Sequence, residues 1–376
     1  MKFSKVIIIA PSFEQRISKM AYSLIQMGLK CEVLAEEAQV ADEFKNYIQD
    51  VPFGVIPCSD RLKRTPLGAK RKQFISEKIK SVANKEEGVL VIARDVNYGN
   101  IVTGITKRLK YNNVIVVTDV ADNYDLLYAS YSNFVKRLAF RFGFRYLTST
   151  AFKRSDALII VTPVNYDRIR KAYPRTKDKP ILVVRNLPLK YEFHINQKKI
   201  PNSLVYVGKI DEISRDPMYI LEKLTSLEDY TLHFYSSQKE QTLRKIRDYA
   251  ETNGMGDRVI FHDRVPYDQL ATEISKYMFG LVPHKRSPIT DYTVPNKLYD
   301  YKSSGIVTIM SDCPSLIDEN NRFGFGVVYS NDKDDFYEVV KNAEEYSLDF
   351  SIHMPTWADE FKEMITFFSG YSGKKI

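Results

Sequence analysis

Three stretches of the chain carry residues whose types and spacing could hold an anion or activate a hydroxyl. Residues 203–207 (SLVYV) read as a strand that ends at Gly208-Lys209, and Arg215 follows six residues later. Glycine at a strand end lets a ligand approach the backbone closely. Two cations across a short loop suit a departing diphosphate, whose charge must be neutralised as it leaves. The same spacing also fits two solvated basic residues on a loop. The second stretch, residues 293–305 (TVPNKLYDYKSSG), opens a helix after an irregular loop that follows Pro283. A helix N-terminus offers free N–H groups and the positive end of the helix dipole, and so favours an anion. Lys297 lies in the first turn, where a cation works against the helix itself, which points to service of a ligand. Asp300 shares its face, and a carboxylate beside a sugar or ribose accepts two hydroxyl hydrogen bonds.

The third stretch supplies candidate bases. Residues 118–124 (TDVADNY) follow the apolar run VIVVT, and Asp119 or Asp122 there could position or deprotonate an acceptor hydroxyl. Aspartate is also a preferred helix N-cap, so one or both could instead be structural. Arg94-Asp95 after the run VLVIA is a similar pair, and Arg16 in the first loop could meet a phosphate or a sugar carboxylate. All five histidines (His194, His233, His262, His284, His353) fall after residue 190, so a base from the first half would be a carboxylate, Tyr or Lys.

Such residues need strands and helices to position them. Apolar runs at residues 5–10, 31–35, 89–93, 114–118, 157–161 and 181–184 alternate with helical patterns, the signature of parallel α/β architecture. A second series follows, with strands expected at 203–207, 231–235, 259–262, 280–283 and 307–311. A linker is expected over 188–202, which holds Pro188, Lys198, Lys199 and Pro201. The expected domains are residues 1–188, residues 189–355, and a last segment 356–376. Open α/β sheets bind ligands at the carboxyl ends of their strands. No GxGxxG, Walker A, HExxH or GxSxG motif occurs, and no internal repeat or heptad.

At 376 residues and 44% hydrophobic, the chain can fill two cores and is neither disordered nor a disulfide scaffold. Cys31, Cys58 and Cys313 are scattered, odd in number and without metal spacing, which fits a reducing cytoplasm and no metal site. No signal peptide or membrane-spanning run is expected. The net charge of +8 is uneven. Residues 1–190 hold 33 Lys and Arg against 18 Asp and Glu, a net +15, whereas residues 191–376 hold 22 against 29, a net −7. Two basic stretches carry most of the excess. One contains Arg61, Lys63, Arg64, Lys70, Arg71 and Lys72 and reads as a loop. The other, residues 133–154, combines Lys136, Arg137, Arg141, Arg145, Lys153 and Arg154 with six aromatic rings and no acid. A basic, aromatic helix suits an anionic bilayer surface. It also fits a helix with an aromatic core face and a solvated basic face. No nucleic-acid partner is expected, because no DNA- or RNA-binding module appears in the α/β pattern.

The order of these elements resembles glycosyltransferase family 4, with the GT-B fold of two facing Rossmann-like, doubly wound domains. The resemblance covers nearly the whole chain and rests on residues 157–162 (ALIIVT), 181–186 (ILVVRN), 205–209 (VYVGK), 265–270 (VPYDQL), 295–305 (PNKLYDYKSSG) and Gly324-Phe325-Gly326. Residues 357–368 resemble the final helix, which in that fold crosses back to the N-terminal domain. The resemblance implies a nucleotide-sugar co-substrate (a UDP- or GDP-sugar), a glycan or lipid-linked acceptor, retention of configuration, no metal and no other cofactor. It implies a donor site of Gly208, Lys209, Arg215, His284, Val294, Pro295, Asn296, Lys297, Leu298 and Asp300. Lys209, Arg215 and Lys297 would stabilise the diphosphate, and Asp119, Asp122, Arg16, Arg94 and Asp95 would lie on the acceptor side. Residues 133–154 would then place the enzyme on the inner face of the cell membrane. Lys209 stands where the family usually has Arg. Tyr292, beside Asp291, stands where it often has the first of two Glu, and Asp300 takes the place of the second. The glycine-rich first loop and the N-domain His have no counterpart. A GT-B sugar-nucleotide epimerase and a non-catalytic binding protein are the competing readings.

Overall fold

A computed structural model describes residues 3–36, 51–57, 68–131, 133–189, 198–210, 214–215, 217–236 and 240–371. Cys58, Arg61, Lys63, Arg64 and His194 lie outside the described residues. The chain divides into two compact units, Met1–Arg185 with Trp357–Ile376, and Asn186–Thr356.

In the first unit the described strands are β1 (Lys5–Ala10), β2 (Lys30–Ala35), β3 (Phe53–Val55), β4 (Val89–Arg94), β5 (Val114–Val120), β6 (Ala157–Ile160) and β7 (Ile181–Val183). They form one sheet in the order β3-β2-β1-β4-β5-β6-β7, with every pair parallel. The helices between them are α1 (Gln15–Gln26), α2 (Ala69–Ala83), α3 (Asp95–Leu109), α4 (Phe134–Arg154) and α5 (Val164–Ala172). Helices cover both faces of a parallel sheet, so its strands read as continuous apolar runs. Residues 6–10 of β1 and all of β4 are buried accordingly. Helix α1 begins at Gln15, because Ile17, Met20, Ala21 and Leu24 recur at helical spacing and are all buried. Arg16 is therefore in the first helical turn, not in a loop. Lys70, Arg71 and Lys72 likewise belong to α2, and Arg71 is buried against Glu36 at 2.9 Å.

In the second unit the described strands are β8 (Ile200–Val207), β9 (Thr231–Tyr235), β10 (Val259–His262), β11 (Tyr277–Val282), β12 (Val307–Ser311) and β13 (Gly326–Tyr329). Their order, β10-β9-β8-β11-β12-β13, is again fully parallel and reverses direction between β8 and β11. The helices are α6 (Pro217–Leu224), α7 (Glu240–Thr252), α8 (Tyr267–Ile274), α9 (Asn296–Ser303), α10 (Pro314–Phe323) and α11 (Phe336–Glu345). The expected linker ends earlier than residue 202, because Ile200–Asn202 already pair as the start of β8. Pro201 is tolerated at the opening of a strand, where a missing N–H costs little. The last helix, α12 (Trp357–Gly370), belongs to the first unit. The Arg185 guanidinium and backbone N–H both donate to the Glu360 carboxylate, and Trp357 is fully buried.

A polar cluster lies within the second unit. His233 Nδ1 and His262 Nε2 share a hydrogen bond at 2.9 Å, and the Tyr235 and Tyr277 hydroxyls meet at 2.8 Å beside them. Burial pushes the His233 imidazole down to about 4, and the neighbouring His262 and Lys276 add to the shift. A histidine whose folded value is depressed is neutral in the fold but takes up a proton when unfolded. Its contribution is therefore complete above about pH 6.5 and falls as pH drops from there toward about 4. Replacing His233 by Gln should remove up to about 2 kcal/mol of the acid-side loss of stability. Urea midpoints at pH 5 and pH 7 check this, and an equal pH dependence in the variant would count against it.

Candidate functional site

The carboxyl ends of β8 and β11 bring the expected donor residues of the second unit together. Strand β8 ends at Gly208, whose φ of +99° lies in the region that favours glycine. A Cβ at that position would lie 4.0 Å from Lys297 Cε. Lys297, in the first turn of α9, is nearly buried, and its Nζ sits 3.4 Å from the centre of the Tyr206 ring. The Tyr206 hydroxyl donates to the Lys209 carbonyl at 2.6 Å, and Arg215 Nη1 approaches the same oxygen at 3.4 Å. The Lys209 side chain is exposed. Arg215 forms an isolated antiparallel bridge with His284, and the Lys285 N–H donates to the Ser214 carbonyl at 3.0 Å. Gly208, Lys209 and Arg215 therefore lie together with the end of β11 and the start of α9, and Lys209, Arg215 and Lys297 are the cations among them.

The loop before α9 is pinned from two sides. Ser315 Oγ, in the first turn of α10, donates to the carbonyls of Thr293 at 2.7 Å and Thr290 at 3.2 Å. Asp291 is paired with Arg286 at 2.8 Å. The first turn of α9 has no acidic residue, and Pro295 at its N-cap makes no side-chain cap. The positive end of its dipole favours an anion. Asn296 and Pro295 sit at this end, half-buried, and Asp300 is half-buried one turn further on. Leu298 is fully buried and Val294 nearly so, which leaves their side chains in the core.

Tyr301 anchors α9 to the sheet. Its hydroxyl accepts the Val207 N–H at 3.1 Å and donates to the Val205 carbonyl at 3.2 Å. The ring lies where a side chain on β11 would be, since a Cβ at Gly280 would come within 2.4 Å of Tyr301 Cδ2. Gly280→Ala should therefore destabilise the fold by about 1–3 kcal/mol and shift α9 away from β8. An unchanged urea midpoint would contradict this packing. The sequence reading missed Tyr206 and Tyr301. Both are fully buried aromatics, and only their adjacency to Gly208 and Lys297 hinted at a positioning role.

In the first unit, the candidate residues gather at the carboxyl ends of β1, β4 and β5, in a way that changes two assignments. Arg16 and Asp119 form a two-pronged ion pair, Nε to Oδ2 and Nη2 to Oδ1, both at 2.8 Å. Arg16 Nη1 also donates to the Val184 carbonyl at 3.1 Å, and its guanidinium lies 5.1 Å from the Trp357 ring centre. Asp119 is 0% exposed. Burial works to raise its carboxyl, but the charge and hydrogen bonds of Arg16 and the charge of Arg94 outweigh this and hold it below the ordinary value. Asp119 is thus a buried partner of Arg16 rather than a base, and Arg16 is occupied within the fold rather than waiting for a phosphate.

Arg94 donates from Nε to Glu14 at 2.8 Å and approaches Asp122 at 3.4 Å and Asp119 at 3.8 Å. Its burial disfavours the charge, but Asp119, Glu14 and Asp122 hold it protonated. Asp122 keeps an exposed carboxylate, 68% accessible. Asp95 opens α3 with a φ of +66°, a left-handed conformation that aspartate adopts at some cost in strain. Its Oδ1 accepts the Asn97 N–H at 2.7 Å and the Tyr98 N–H at 3.3 Å. Burial pushes its carboxyl up to about 6, against those hydrogen bonds and Arg94. Asp95 therefore caps a helix and also titrates near neutrality.

Among the described residues, no group of three His, Cys, Asp or Glu is arranged to hold a metal ion, and no helix is long and apolar enough to cross a membrane. Cys31 and Cys313 are buried free thiols.

No family model matches the chain, and no curated protein matches it in sequence. Solved structures do match in fold. The chain resembles the lipopolysaccharide outer core galactosyltransferase WaaB in its apo form, at 16% identity and a TM-score of 0.66 over 97% of this chain and 99% of that one. It resembles a sucrose-phosphate synthase from Thermosynechococcus elongatus at 13% identity and a TM-score of 0.66, over 97% and 94% of the two chains. It also resembles the UDP-GlcNAc 2-epimerase of Methanocaldococcus jannaschii, in complex with UDP-GlcNAc and UDP, at 11% identity and a TM-score of 0.56, over 96% and 99%. The two parallel Rossmann-like units, with the last helix returning to the first, are those of the GT-B fold.

Proposed function

We propose that the chain is a glycosyltransferase. It moves a sugar from a UDP- or GDP-sugar to a glycan or lipid-linked acceptor, with retention of configuration and without a divalent metal, in the synthesis of a cell-surface glycan. The observation that carries this reading is the gathering of Gly208, Lys209, Arg215, His284 and Lys297 at the acid-free first turn of α9. The structural neighbours support it, because two of the three described above are named as a galactosyltransferase and a sugar-phosphate synthase. The second unit binds the donor and the first supplies acceptor-side groups.

The reaction breaks the bond between the anomeric carbon and the diphosphate and joins that carbon to the acceptor oxygen, whose proton passes to the departing diphosphate. Charge grows on the leaving diphosphate, where Lys297, Lys209, Arg215 and the N–H groups of α9 neutralise it. Asp300 holds the ribose hydroxyls. Asp122, with its exposed carboxylate beside Arg94, orients the acceptor hydroxyl, and Asp95 lies nearby with a carboxyl that burial pushes up to about 6. Peripheral attachment to the cytoplasmic face of an anionic membrane accompanies this reading.

Incubation with single nucleotide sugars, with and without a glycan or lipid-linked acceptor, tests it. Transfer that needs the acceptor and survives chelation of divalent cations is expected. The epimerase neighbour favours a second reading, in which the sugar isomerises on the nucleotide with no acceptor present. Formation of that isomer would replace the transferase assignment.

A further inference from the structure

Apart from the outward rings of α4 (Phe134, Phe142 and Tyr146), the first unit presents a polar feature that its own packing does not explain. In the strand order β3-β2-β1-β4-β5-β6-β7, the chain winds one way from β1 and the other way from β4. Such a reversal leaves a crevice at the carboxyl ends of the two strands, where open α/β sheets hold ligands. Glu14 follows β1, Arg94 ends β4 and Asp122 follows β5. The Arg94 guanidinium faces a different carboxylate with each nitrogen. Its Nε donates to Glu14 Oε1 at 2.8 Å, its Nη2 approaches Asp122 Oδ2 at 3.4 Å, and its Nη1 lies 3.8 Å from Asp119 Oδ2.

The three carboxylates are not equivalent. Asp119 is buried, and both of its oxygens are taken by Arg16. The Glu14 and Asp122 side chains are 42% and 68% exposed. Each commits one oxygen to Arg94, and its second oxygen meets no donor among the described residues. Nε and Nη2 lie on one edge of a guanidinium, so the two outward carboxylates stand side by side. Glu14 also forgoes another use. It is the N-cap residue of α1, where a side-chain oxygen ordinarily accepts a backbone N–H, yet it makes no cap. Arg94 is 93% buried by the same measure that leaves it 7% exposed, and its Nη1 is buried without a hydrogen-bond partner. A forgone cap and an unmet buried donor each cost stability. Their joint effect is to hold two carboxylates toward solvent at the mouth of the crevice.

We propose that Glu14 and Asp122, set side by side by Arg94, form a clamp for two adjacent hydroxyls of a neutral acceptor sugar. The inference rests on the transferase reading and names its acceptor class, a glycan end that bears a vicinal diol and no charged group there. Carboxylate oxygens accept hydrogen bonds and do not donate them, so they select hydroxyl donors, and adjacent ring hydroxyls present two. Charge disfavours the other occupants. A phosphate or a sugar carboxylate would meet the two exposed acids first, because the cations Arg16 and Arg94 are buried behind them. A metal ion or an ammonium would meet the Arg94 charge that bridges the two acids. Glu14 is thereby a sugar-binding residue, and Arg94 is a positioning residue that acts through the two acids.

Saturation-transfer NMR of the full chain tests the clamp without donor or turnover. The neutral probes are the methyl glycosides of glucose, galactose and mannose, and the anionic probes are glucose 6-phosphate and glucuronic acid. At least one neutral glycoside is expected to bind, with its strongest signals on two adjacent ring positions, and neither anion is expected to bind as well. Glu14→Gln keeps the length of the side chain and removes its charge. It should weaken binding of that glycoside by about tenfold or more, and Asp122→Asn should do the same. The two changes together should tighten binding of glucose 6-phosphate by about threefold or more over wild type, because they uncover the Arg94 charge. A merely structural role for the two acids would not produce that gain. Stabilisation by a nucleoside diphosphate should be the same in Glu14→Gln as in wild type. If Glu14→Gln lowers the thermal unfolding midpoint, Asp122→Asn carries the test, since its side chain is the more exposed. No binding of any neutral glycoside, tighter binding of an anion by wild type, or undiminished binding in both variants would overturn the clamp. Such a failure beside acceptor-dependent transfer leaves the transferase reading standing, whereas clamp-dependent glycoside binding without any transfer removes that reading alone.

Discussion

Replacing Lys297 by Met is expected to lower turnover by about 100–1000-fold and to weaken nucleoside diphosphate binding by about tenfold or more. The methionine keeps the stem and removes the charge. The magnitude follows from position, since the ammonium lies over the Tyr206 ring, beside Gly208 and at the N-terminal end of α9. A cation there opposes the helix dipole by about 0.3–1 kcal/mol, which offsets much of what its contact with Tyr206 contributes. Stability in urea should therefore change little while function collapses. Tyr206→Leu should reproduce part of the loss, because it removes both the ring beneath Lys297 and the hydroxyl that fixes the Lys209 carbonyl. Turnover and diphosphate affinity at the wild-type level in Lys297→Met would remove this residue from the donor site.

Replacing Asp119 by Ala is expected to destabilise the first unit by about 3–5 kcal/mol, because it strands the Arg16 guanidinium in the interior without its partner. The double change Arg16→Met with Asp119→Leu should recover most of that loss, since an apolar pair of similar volume carries no desolvation penalty. The pH dependence has a definite sign. The Asp119 carboxyl is held below its ordinary value, so its stabilisation is complete above about pH 4 and is lost as pH falls through the lower folded value. The acid limb of unfolding should flatten in the double variant. If Asp119→Asn instead left stability untouched and removed the acidic limb of the rate profile along with most of the turnover, Asp119 would be the base after all.

The sheets were legible because parallel strands buried on both faces leave uninterrupted apolar runs, and most of these were located within a residue or three. The exceptions have physical causes. Strands β3 (FGV) and β13 (GVVY) are short edge strands containing glycine, too brief for a periodic signal. The start of β8 looks like a linker because Pro201 and a left-handed Asn202 open it. The donor side of the site was legible through local spacing, since Gly208, Lys209, Arg215 and the first turn of α9 each lie within one short segment. The first unit was not legible in that way. Arg16 and Asp119 are 103 residues apart, and nothing near either position shows that they pair. Each looked available to a substrate when read alone. The exposure of α4 was hidden for a related reason. Its aromatic content fits a core helix equally well, and only the fold shows which of the rings turn outward.

The donor site can be tested most directly by ligand-linked stabilisation. Thermal unfolding would be followed with UDP, GDP and ADP and with their sugar conjugates, in wild type and in Lys297→Met. At a concentration about a hundredfold above its dissociation constant, a ligand raises stability by about 2.7 kcal/mol, which corresponds to a midpoint shift of about 5 °C or more in a unit of this size. At least one nucleoside diphosphate is expected to give such a shift in wild type and a much smaller one in Lys297→Met. No shift with any of the three, at concentrations that saturate nucleotide-sugar enzymes, would contradict a donor site at the carboxyl ends of β8 and β11.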